Sequence, residues 1–350
     1  MRQSAYQEHK DFKSHLNFLW RRCLSPKYLI YRGKWHWAHR FNHVLKFPTH
    51  VDIELNNTCN LRCVMCPHGF DETPAFKASL GYMDFDMAKS IVDEGVSKGM
   101  FSCKFNWRGE PLVHRELLTK SIRYAKAKGV RDIQMNTNGL LLNPDYSREL
   151  IDSGLDRILF SLDGATKESY ESIRIGGKFD KLVNNIREFV EIRNSMKVRR
   201  PIIRVGMVRM DENSAEASDF VRMWQGVVDY VSITDYTNRG EEDDRLEKTR
   251  ELIAVGRRPC PQVWQRLIIA FDGKAIICCR DWDSHHVVGN FNRSSVEEIW
   301  KGKALETIRQ IHRERRLDDM TACRSCKYKE SYEWVPASKL KASTVTATAP

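Results

Sequence analysis

Residues 56–67 read N-N-T-C-N-L-R-C-V-M-C-P and place Cys59, Cys63 and Cys66 at the spacing C-x-x-x-C-x-x-C. Cysteine thiolates are the usual ligands of iron–sulfur clusters, and a cubane 4Fe–4S cluster needs four such ligands. This trio has no close fourth cysteine, so one iron would lack a protein ligand. An open position on a metal is where a substrate or cosubstrate binds. The stretch therefore predicts a cluster with one reactive corner.

The residues just before the trio predict a strand. The segment 51–55 (V-D-I-E-L) alternates apolar and polar side chains, so the cysteines lie on a loop that leaves this strand. A zinc site usually has two paired C-x-x-C units, and disulfide frameworks are typical of exported proteins, for which no signal is recognised here. A zinc loop and incidental cysteines remain the alternatives to a cluster.

Strand-like and helix-like segments alternate after the cysteine loop. The predicted strands are 51–55, 101–106, 130–135, 157–162, 202–208 and 230–234. The predicted helices between them are 86–98, 115–128, 145–153, 178–195 and 214–227. Alternating strands and helices form a parallel sheet, so we expect an α/β fold with a partial (β/α)6 TIM-like barrel. Functional groups in such barrels follow the C-terminal ends of the strands.

The cysteine spacing after the first strand resembles that of the radical S-adenosylmethionine (SAM) superfamily. W-R-G-E-P at 107–111 resembles the family's Gly-Gly-Glu-Pro segment, with Arg108 in place of the first glycine. T-N-G at 137–139 and S-L-D-G at 161–164 resemble its ribose and carboxylate contacts, and Arg174 resembles the arginine that pairs with the methionine carboxylate. The resemblance implies these cofactor-binding residues: Met65, Gly109, Glu110, Asn138, Ser161 and Arg174.

The same resemblance implies a chemistry. SAM would chelate the open iron, and one electron from the cluster would cleave SAM to a 5′-deoxyadenosyl radical. That radical would remove a hydrogen atom from an unactivated C–H bond, inside a barrel that excludes water. The sequence does not show where the substrate lies, so it identifies no catalytic base.

A second cysteine set lies in the last hundred residues: Cys260, Cys278, Cys323 and Cys326. A predicted hairpin at 267–279, turning at Asp272-Gly273, and a predicted helix at 295–313 lead to the closing C-x-x-C. This resembles the SPASM/twitch extension that binds one auxiliary 4Fe–4S cluster, with a spacing most like that of aminocyclitol dehydrogenases. Four thiolates would also suit a zinc ribbon.

The adjacent Cys278 and Cys279 pose a choice. Side chains alternate along a strand, so only one of the two faces the cluster. The family spacing selects Cys278. We expect Cys23 and Cys103 to be ordinary thiols.

Positive charge is concentrated near the start of the chain. The net charge is +11 over 350 residues, and residues 1–50 contain ten Lys/Arg against two Asp/Glu, with interleaved aromatic side chains. Such a segment packs its aromatics on the barrel, contacts an anionic membrane surface, or holds an anionic substrate. Contact with nucleic acid is the least favoured alternative.

We expect the following domains: a basic aromatic extension at 1–50, the barrel at 51–237, a charged linker at 238–256, an auxiliary cluster domain at 257–330 and a disordered tail at 331–350. No apolar run reaches the length of a bilayer span, and ten cysteines suggest a reducing cytoplasm, with peripheral membrane contact as a further option.

The predicted function is a radical SAM oxidoreductase that dehydrogenates a sugar, an aminocyclitol or a glycan-linked small molecule. Four cysteine ligands would leave the second cluster no open iron for a substrate. Its expected role is therefore electron transfer. Flavodoxin or ferredoxin would be the reductant. A peptide-modifying radical SAM enzyme is the alternative, followed by a zinc-binding basic nucleic-acid protein.

Overall fold

The computed structural model describes residues 6–9, 26–71, 73–236, 259–324 and 326. The predicted linker at 238–256 and tail at 331–350 lie outside the described residues, as does Cys23. The extension at 1–50 is described in part.

Twelve strands are assigned within the described residues. They are β1 Tyr6–His9, β2 His50–Ile53, β3 Arg62–Cys63, β4 Ser102–Lys104, β5 Asp132–Thr137, β6 Arg157–Ser161, β7 Arg174–Ile175, β8 Ile202–Arg209, β9 Tyr230–Asp235, β10 Arg266–Ile269, β11 Lys274–Ile276 and β12 Val287–Asn290. All six predicted barrel strands are confirmed, and so is the hairpin, which turns at Gly273 in the left-handed region with φ of 85°.

The described helices lie between and after these strands. They are α1 Pro26–Arg40, α2 Pro67–Phe70, α3 Pro74–Ala78, α4 Phe85–Ser97, α5 Arg115–Lys128, α6 Pro144–Asp152, α7 Lys167–Ile173, α8 Phe179–Ser195, α9 Ala217–Trp224, α10 Gln262–Gln265, α11 Val296–Lys301, α12 Lys303–Arg313 and α13 Thr321–Arg324. Three short 3-10 helices add Pro111–Val113, Asp211–Glu216 and Leu317–Asp319. None of the described helices has the length and apolar character needed to cross a bilayer.

Ten of the strands form one open sheet in the order β1-β9-β8-β6-β5-β4-β2-β10-β11-β12. The pairs from β2 through β4, β5, β6 and β8 to β9 are all parallel, which is the arrangement of a partial barrel. Strand β10 pairs in parallel with β2, and β11 and β12 continue antiparallel from it. The C-terminal hairpin thus extends the barrel sheet.

Two of the predicted helices differ from the structure. The segment 214–227 begins as the 3-10 helix Asp211–Glu216 and becomes α-helical only at α9. The segment 295–313 is two helices, because Gly302 between α11 and α12 has an extended backbone with ψ of 155°. Helix α7, which is short and polar, was not predicted.

The auxiliary helices are anchored on the barrel side. Glu94 of α4 accepts hydrogen bonds from the backbone N–H groups of Val296 and Glu297, both at 2.9 Å, and so caps the start of α11. The indole N–H of Trp300 donates to the carbonyl of Leu45 at 2.8 Å. These contacts hold the C-terminal segment against helix α4 of the barrel and against the segment that precedes β2.

Helix α1 uses one face to pack on the barrel. The ring of Tyr31 stacks on Phe101 at 4.4 Å with an interplanar angle of 6°, and the carbonyl of Trp35 accepts from the Gln265 side chain at 3.0 Å. Trp37 on the helix and Phe41 directly after it are exposed. The predicted packing of the aromatic side chains is therefore found for Tyr31 and Trp35, whereas Trp37 and Phe41 remain exposed.

Candidate functional site

The cysteine loop follows β2 and folds back against α7. Cys63 lies in β3, which pairs with β7 so that Cys63 faces Arg174. The N–H of Cys66 donates to the carbonyl of Cys63 at 3.0 Å, and the N–H of Gly69 donates to the carbonyl of Cys66 at 2.7 Å. A Cβ at Gly69 would lie 2.1 Å from the Cys63 carbonyl oxygen, so only glycine allows this tight turn.

The thiols of the loop influence one another. The pKa of Cys59 is raised to about 12, first by burial, then by the charge of Glu110 and by the other two thiols, Cys66 and Cys63. Neighbouring thiolates repel, and iron supplies the positive charge that relieves the repulsion. The donor set therefore suits a metal cluster.

The segment Gly109-Glu110 is held directly on the cysteine loop. The N–H of Glu110 donates to the carbonyl of Thr58 at 2.8 Å, and the Asn56 side chain donates to the carbonyl of Glu110 at 3.2 Å. A Cβ at Gly109 would lie 2.5 Å from the Asn56 carbonyl oxygen. Glycine at this position permits the close approach of two backbones, as the predicted motif requires.

The Glu110 carboxylate points into the protein. It accepts from the Thr137 hydroxyl at 2.6 Å, the Asn138 N–H at 2.7 Å and the Leu112 N–H at 3.0 Å. Burial raises its pKa in spite of these hydrogen bonds. This carboxylate ties the loop after β4 to the loop after β5, and its predicted contact with the methionine amine stays a prediction.

Asn138 reaches back to the cysteine loop. Its side-chain amide donates to the side-chain oxygen of Asn60 at 2.8 Å, and Asn60 directly follows Cys59. Asn60 was not predicted as a site residue, although it lies inside the cysteine motif.

Arg174 lies between a buried carboxylate and the loop. Its guanidinium donates to Asp163 at 2.8 and 2.5 Å, and Nη1 lies 3.7 Å from Cys63 Sγ. Burial alone would lower the pKa of Arg174, but the charges of Asp163 and Cys63 raise it. Asp163 also accepts from the Val208 N–H at 2.6 Å, so Arg174 connects the loop to the ends of β6 and β8. Its predicted carboxylate partner on SAM stays a prediction.

Tyr170 supplies an independent indication of a bound group. Its side chain is fully buried, and its hydroxyl has no hydrogen-bond partner in the part of the chain that the structure describes. Burial raises the pKa of this hydroxyl; the charge of Arg174 lowers the pKa, and that of Cys63 raises it. A buried hydroxyl without a partner is costly, so a group at the cysteine loop that accepts its hydrogen bond fits the cradle.

The two remaining predicted contacts differ in setting. Met65 is buried in the hydrophobic core with Cys63. Ser161 ends β6, is half-buried and pairs in register with Gly206 of β8. Both stay predictions as cofactor contacts.

Arg108, the departure from the family motif, has a defined role in the structure. Its Nε and Nη2 donate to the two oxygens of Glu54 at 3.0 and 2.9 Å, and Nη1 donates to the carbonyl of Trp282 at 3.2 Å. The Glu54 side chain is fully buried. Arg108 therefore links the end of β2 to the auxiliary domain.

The adjacent cysteines Cys278 and Cys279 have different surroundings in the structure. The pKa of Cys278 is raised by its contact with Cys279, by burial and by the charges of Cys260 and Cys326. Cys279 instead accepts from Arg266 Nη2 at 3.3 Å, and its pKa is lowered by the contact with Cys278 and by nearby cations. The charges of Cys260 and Cys326 act on Cys278, whereas Arg266 contacts Cys279, and Cys278 stays the predicted ligand of the pair.

Within the described residues, no group of three or more His, Cys, Asp or Glu side chains converges as ligands of a single ion would. In a cubane each cysteine binds its own iron, so its ligands do not need to meet at one point. The predicted ligands of the first cluster are Cys59, Cys63 and Cys66, and those of the auxiliary cluster are Cys260, Cys278, Cys323 and Cys326.

The sequence also matches known protein families. Residues 53–206 match the radical SAM superfamily, and residues 260–327 match the iron–sulfur cluster-binding SPASM domain. The chain carries a radical SAM domain followed by a SPASM domain. SAM and iron–sulfur clusters are the cofactors of these domains, and the α/β fold with a C-terminal cluster domain is the one expected from the motifs.

Relatives and solved structures extend this result. A GTP 3′,8-cyclase of Petrotoga mobilis is 28% identical over 195 residues, which cover 55% of this chain and 57% of the relative. The chain spans about half the length of the curated relatives it matches. The structure of BtrN in complex with AdoMet and 2-DOIA is 15% identical with a TM-score of 0.51, covering 80% of this chain and 92% of BtrN.

The Streptococcus suis SuiB structure, bound to precursor peptide SuiA, is 13% identical with a TM-score of 0.58 and covers 85% of this chain and 79% of SuiB. Identities this low show a shared fold alone.

Replacing Arg108 by alanine tests the link between the barrel and the auxiliary domain. Because Glu54 would become a buried charge without its ion-pair partner, we expect a loss of about 3–5 kcal/mol of unfolding free energy. Anaerobic urea unfolding measures it. Arg131→Ala, at an exposed loop position, is the control. The double variant Glu54→Gln/Arg108→Ala should recover part of the loss, and a single variant as stable as the control would contradict this role.

Alanine variants of the adjacent cysteines test the ligand assignment. Two cubanes give about eight irons per chain, so Cys278→Ala should retain about four. Cys279→Ala, its matched control, should retain all of them. Iron and sulfide quantitation on anaerobically purified protein gives the result. If Cys279→Ala loses half of the iron while Cys278→Ala keeps it, the assignment is reversed.

Proposed function

We propose that this enzyme is an oxidoreductase that dehydrogenates a polar small molecule, namely a sugar, an aminocyclitol or a glycan-linked intermediate. Cys59, Cys63 and Cys66 would hold the first cluster, and Cys260, Cys278, Cys323 and Cys326 would hold the auxiliary cluster. With SAM bound, these groups would supply the removal of one hydrogen atom from a substrate carbon and the acceptance of the second electron, while the substrate would release a proton to an acceptor on the protein. The protein supplies the position of the substrate, an acceptor for the proton and a site closed to water.

The observation that carries the proposal is the connection of the auxiliary cysteines to the barrel interior. Strand β10 pairs with β2, and Arg266 of β10 contacts Cys279 on one side and Asp52 of β2 on the other, at 3.1 Å from Asp52 Oδ2. The segment that carries Cys278 and Cys279 therefore lies beside β2 of the barrel sheet. This proximity supports an electron acceptor that serves a substrate bound within the barrel.

The charged side chains of the inner strands support a polar substrate. Asp52, Lys104 and Gln134 are register neighbours on β2, β4 and β5, and Lys104 Nζ lies 3.4 Å from Asp52 Oδ1. Asp52 is fully buried, and although burial opposes this, Lys104 and Arg266 hold its pKa well below the usual range. Such ionised groups suit a substrate with hydroxyl or amino groups.

The peptide-modifying alternative makes a different use of the same fold. It is the activity class suggested by the SuiB structure, whereas the cyclase relatives suggest a nucleotide substrate. The three candidates differ in the class of substrate, which is a polar small molecule, a peptide or a nucleotide, and an experiment separates them at that point. A flavodoxin or ferredoxin is the proposed reductant, in the cytoplasm.

Deuterium transfer tests the proposed reaction. We expect anaerobic incubation with SAM, reductant and deuterated polyols or aminocyclitols to place deuterium in 5′-deoxyadenosine and to form a carbonyl product. Cys278→Ala should still transfer deuterium but should yield little carbonyl product, because the second electron has no acceptor. Mass spectrometry follows both products. Deuterium transfer with a product at the substrate's oxidation level, in the unaltered enzyme, would contradict dehydrogenation.

We also propose that helix α1 contacts an anionic membrane surface. Ile30 and Trp37 of α1, and Phe41 directly after its last residue, are 58%, 45% and 63% exposed, and their spacing of seven and four residues places them on one side. The exposed cations Lys34 and Arg40 flank this stripe. Apolar residues bordered by cations are typical of helices that lie in the interface.

Vesicle sedimentation tests this contact. The full chain should bind phosphatidylglycerol vesicles more strongly than phosphatidylcholine vesicles, and Trp37→Glu/Phe41→Glu should weaken the binding at least tenfold. Val198→Glu, at an apolar position 42% exposed beyond α8, is the matched control. Equal binding by the α1 variant and the control would contradict the proposal.

A further inference from the structure

His312 connects two of the predicted auxiliary ligands. It lies in the last turn of α12 and is 1% exposed. Its Nδ1 is 3.1 Å from the backbone nitrogen of Cys260, and its Nε2 is 3.9 Å from Cys323 Sγ. Cys260 and Cys323 are far apart in the sequence, so the imidazole joins the two ends of the cysteine set.

The hydrogen bond to Cys260 assigns the tautomer of the ring. A backbone N–H only donates, so Nδ1 must be the acceptor. The proton of the neutral imidazole is then on Nε2, which is directed at the Cys323 sulfur. The histidine therefore presents an N–H donor to a predicted ligand.

The neighbours of His312 hold the ring in this orientation. Trp264 meets it edge-on at 6.0 Å with an interplanar angle of 90°. Arg309, one turn earlier on α12, donates to the carbonyls of Val263 and Trp300 at 3.0 and 2.9 Å. The donor is thus preorganised toward Cys323.

We propose that His312 is a positioning residue that raises the reduction potential of the auxiliary cluster through Cys323. Hydrogen bonds to cluster sulfurs are one of the means by which a protein sets this potential, because a donor stabilises the more negative reduced state. This inference rests on the auxiliary site of the proposed function and deepens it, since a higher potential favours acceptance of the substrate's second electron.

Two substitutions distinguish the contact of Nδ1 with the Cys260 backbone from the contact of Nε2 with the Cys323 sulfur. His312→Asn retains an acceptor near the Nδ1 position and lacks a group that reaches Cys323. His312→Gln extends an amide donor toward Cys323 and lacks the Nδ1 acceptor. His36→Asn, on the exposed side of α1, is the control.

Redox titration followed by EPR tests the proposal in the full chain carrying Cys63→Ala, so that the auxiliary cluster alone contributes. We expect His312→Asn to lower the reduced-to-oxidised ratio at a given potential at least tenfold, which is about 59 mV for a one-electron couple. His312→Gln should remain nearer the control. An unchanged potential in His312→Asn, or an equal fall in both variants, would overturn the proposal.

Should His312→Asn fail to retain iron, the unsubstituted holoenzyme decides. Pulsed EPR of protein labelled with 15N-histidine should detect a hyperfine coupling between the ring nitrogen and the reduced auxiliary cluster, and its absence would overturn the proposal. Neither readout depends on turnover. A shifted potential without a dehydrogenated product would therefore refute the proposed reaction and leave the role of His312 intact.

Discussion

The buried carboxylate of Glu110 is the constraint on which the mouth of the barrel depends. A carboxylate 4% exposed is stable only when its oxygens are hydrogen-bonded, and Thr137, Asn138 and Leu112 provide the donors. The backbone of the same residue is bonded to Thr58 in the cysteine loop. One residue therefore holds the loop after β2 in register with the loops after β4 and β5, and Arg174 with Asp163 extends this connection toward β8.

A second set of charges joins the two cysteine sites. Arg108 neutralises Glu54 and contacts the loop after the auxiliary hairpin, while Arg266 neutralises Asp52 and contacts Cys279. Buried charges are tolerated when paired, and each of these pairs crosses between β2 and its neighbours. Because β10 is hydrogen-bonded to β2, the two sites share one sheet. The same backbone that places the first cysteines therefore also places the auxiliary segment.

Local patterns in the sequence predict much of this arrangement. The alternation at 51–55 and the spacing of the cysteines predict β2 and the loop after it, and the glycine that follows Lys128 predicts the end of α5, where Gly129 has φ of 99°. Contacts between distant segments are not predictable in this way. The ion pair of Arg108 with Glu54 joins residues 54 positions apart. The sequence therefore shows Arg108 only as a departure from the Gly-Gly-Glu-Pro motif and does not show its ion-pair partner. The parallel pairing of β10 with β2 and the contact of His312 with Cys323 likewise depend on tertiary packing. The sequence predicts one helix over 295–313, because a single glycine inside a helical pattern is often tolerated. In the structure Gly302 instead ends α11 and begins α12.

Binding of SAM at the barrel mouth requires a cubane that the protein holds at three corners, with the fourth open. The most direct measurement is the EPR spectrum of the reduced, anaerobically purified Cys278→Ala variant before and after addition of SAM. We expect the spectrum of the remaining cluster to shift, because the amino and carboxylate groups of SAM would become ligands of its open iron. A spectrum that does not respond to SAM, or a preparation that contains zinc in place of iron, would contradict it.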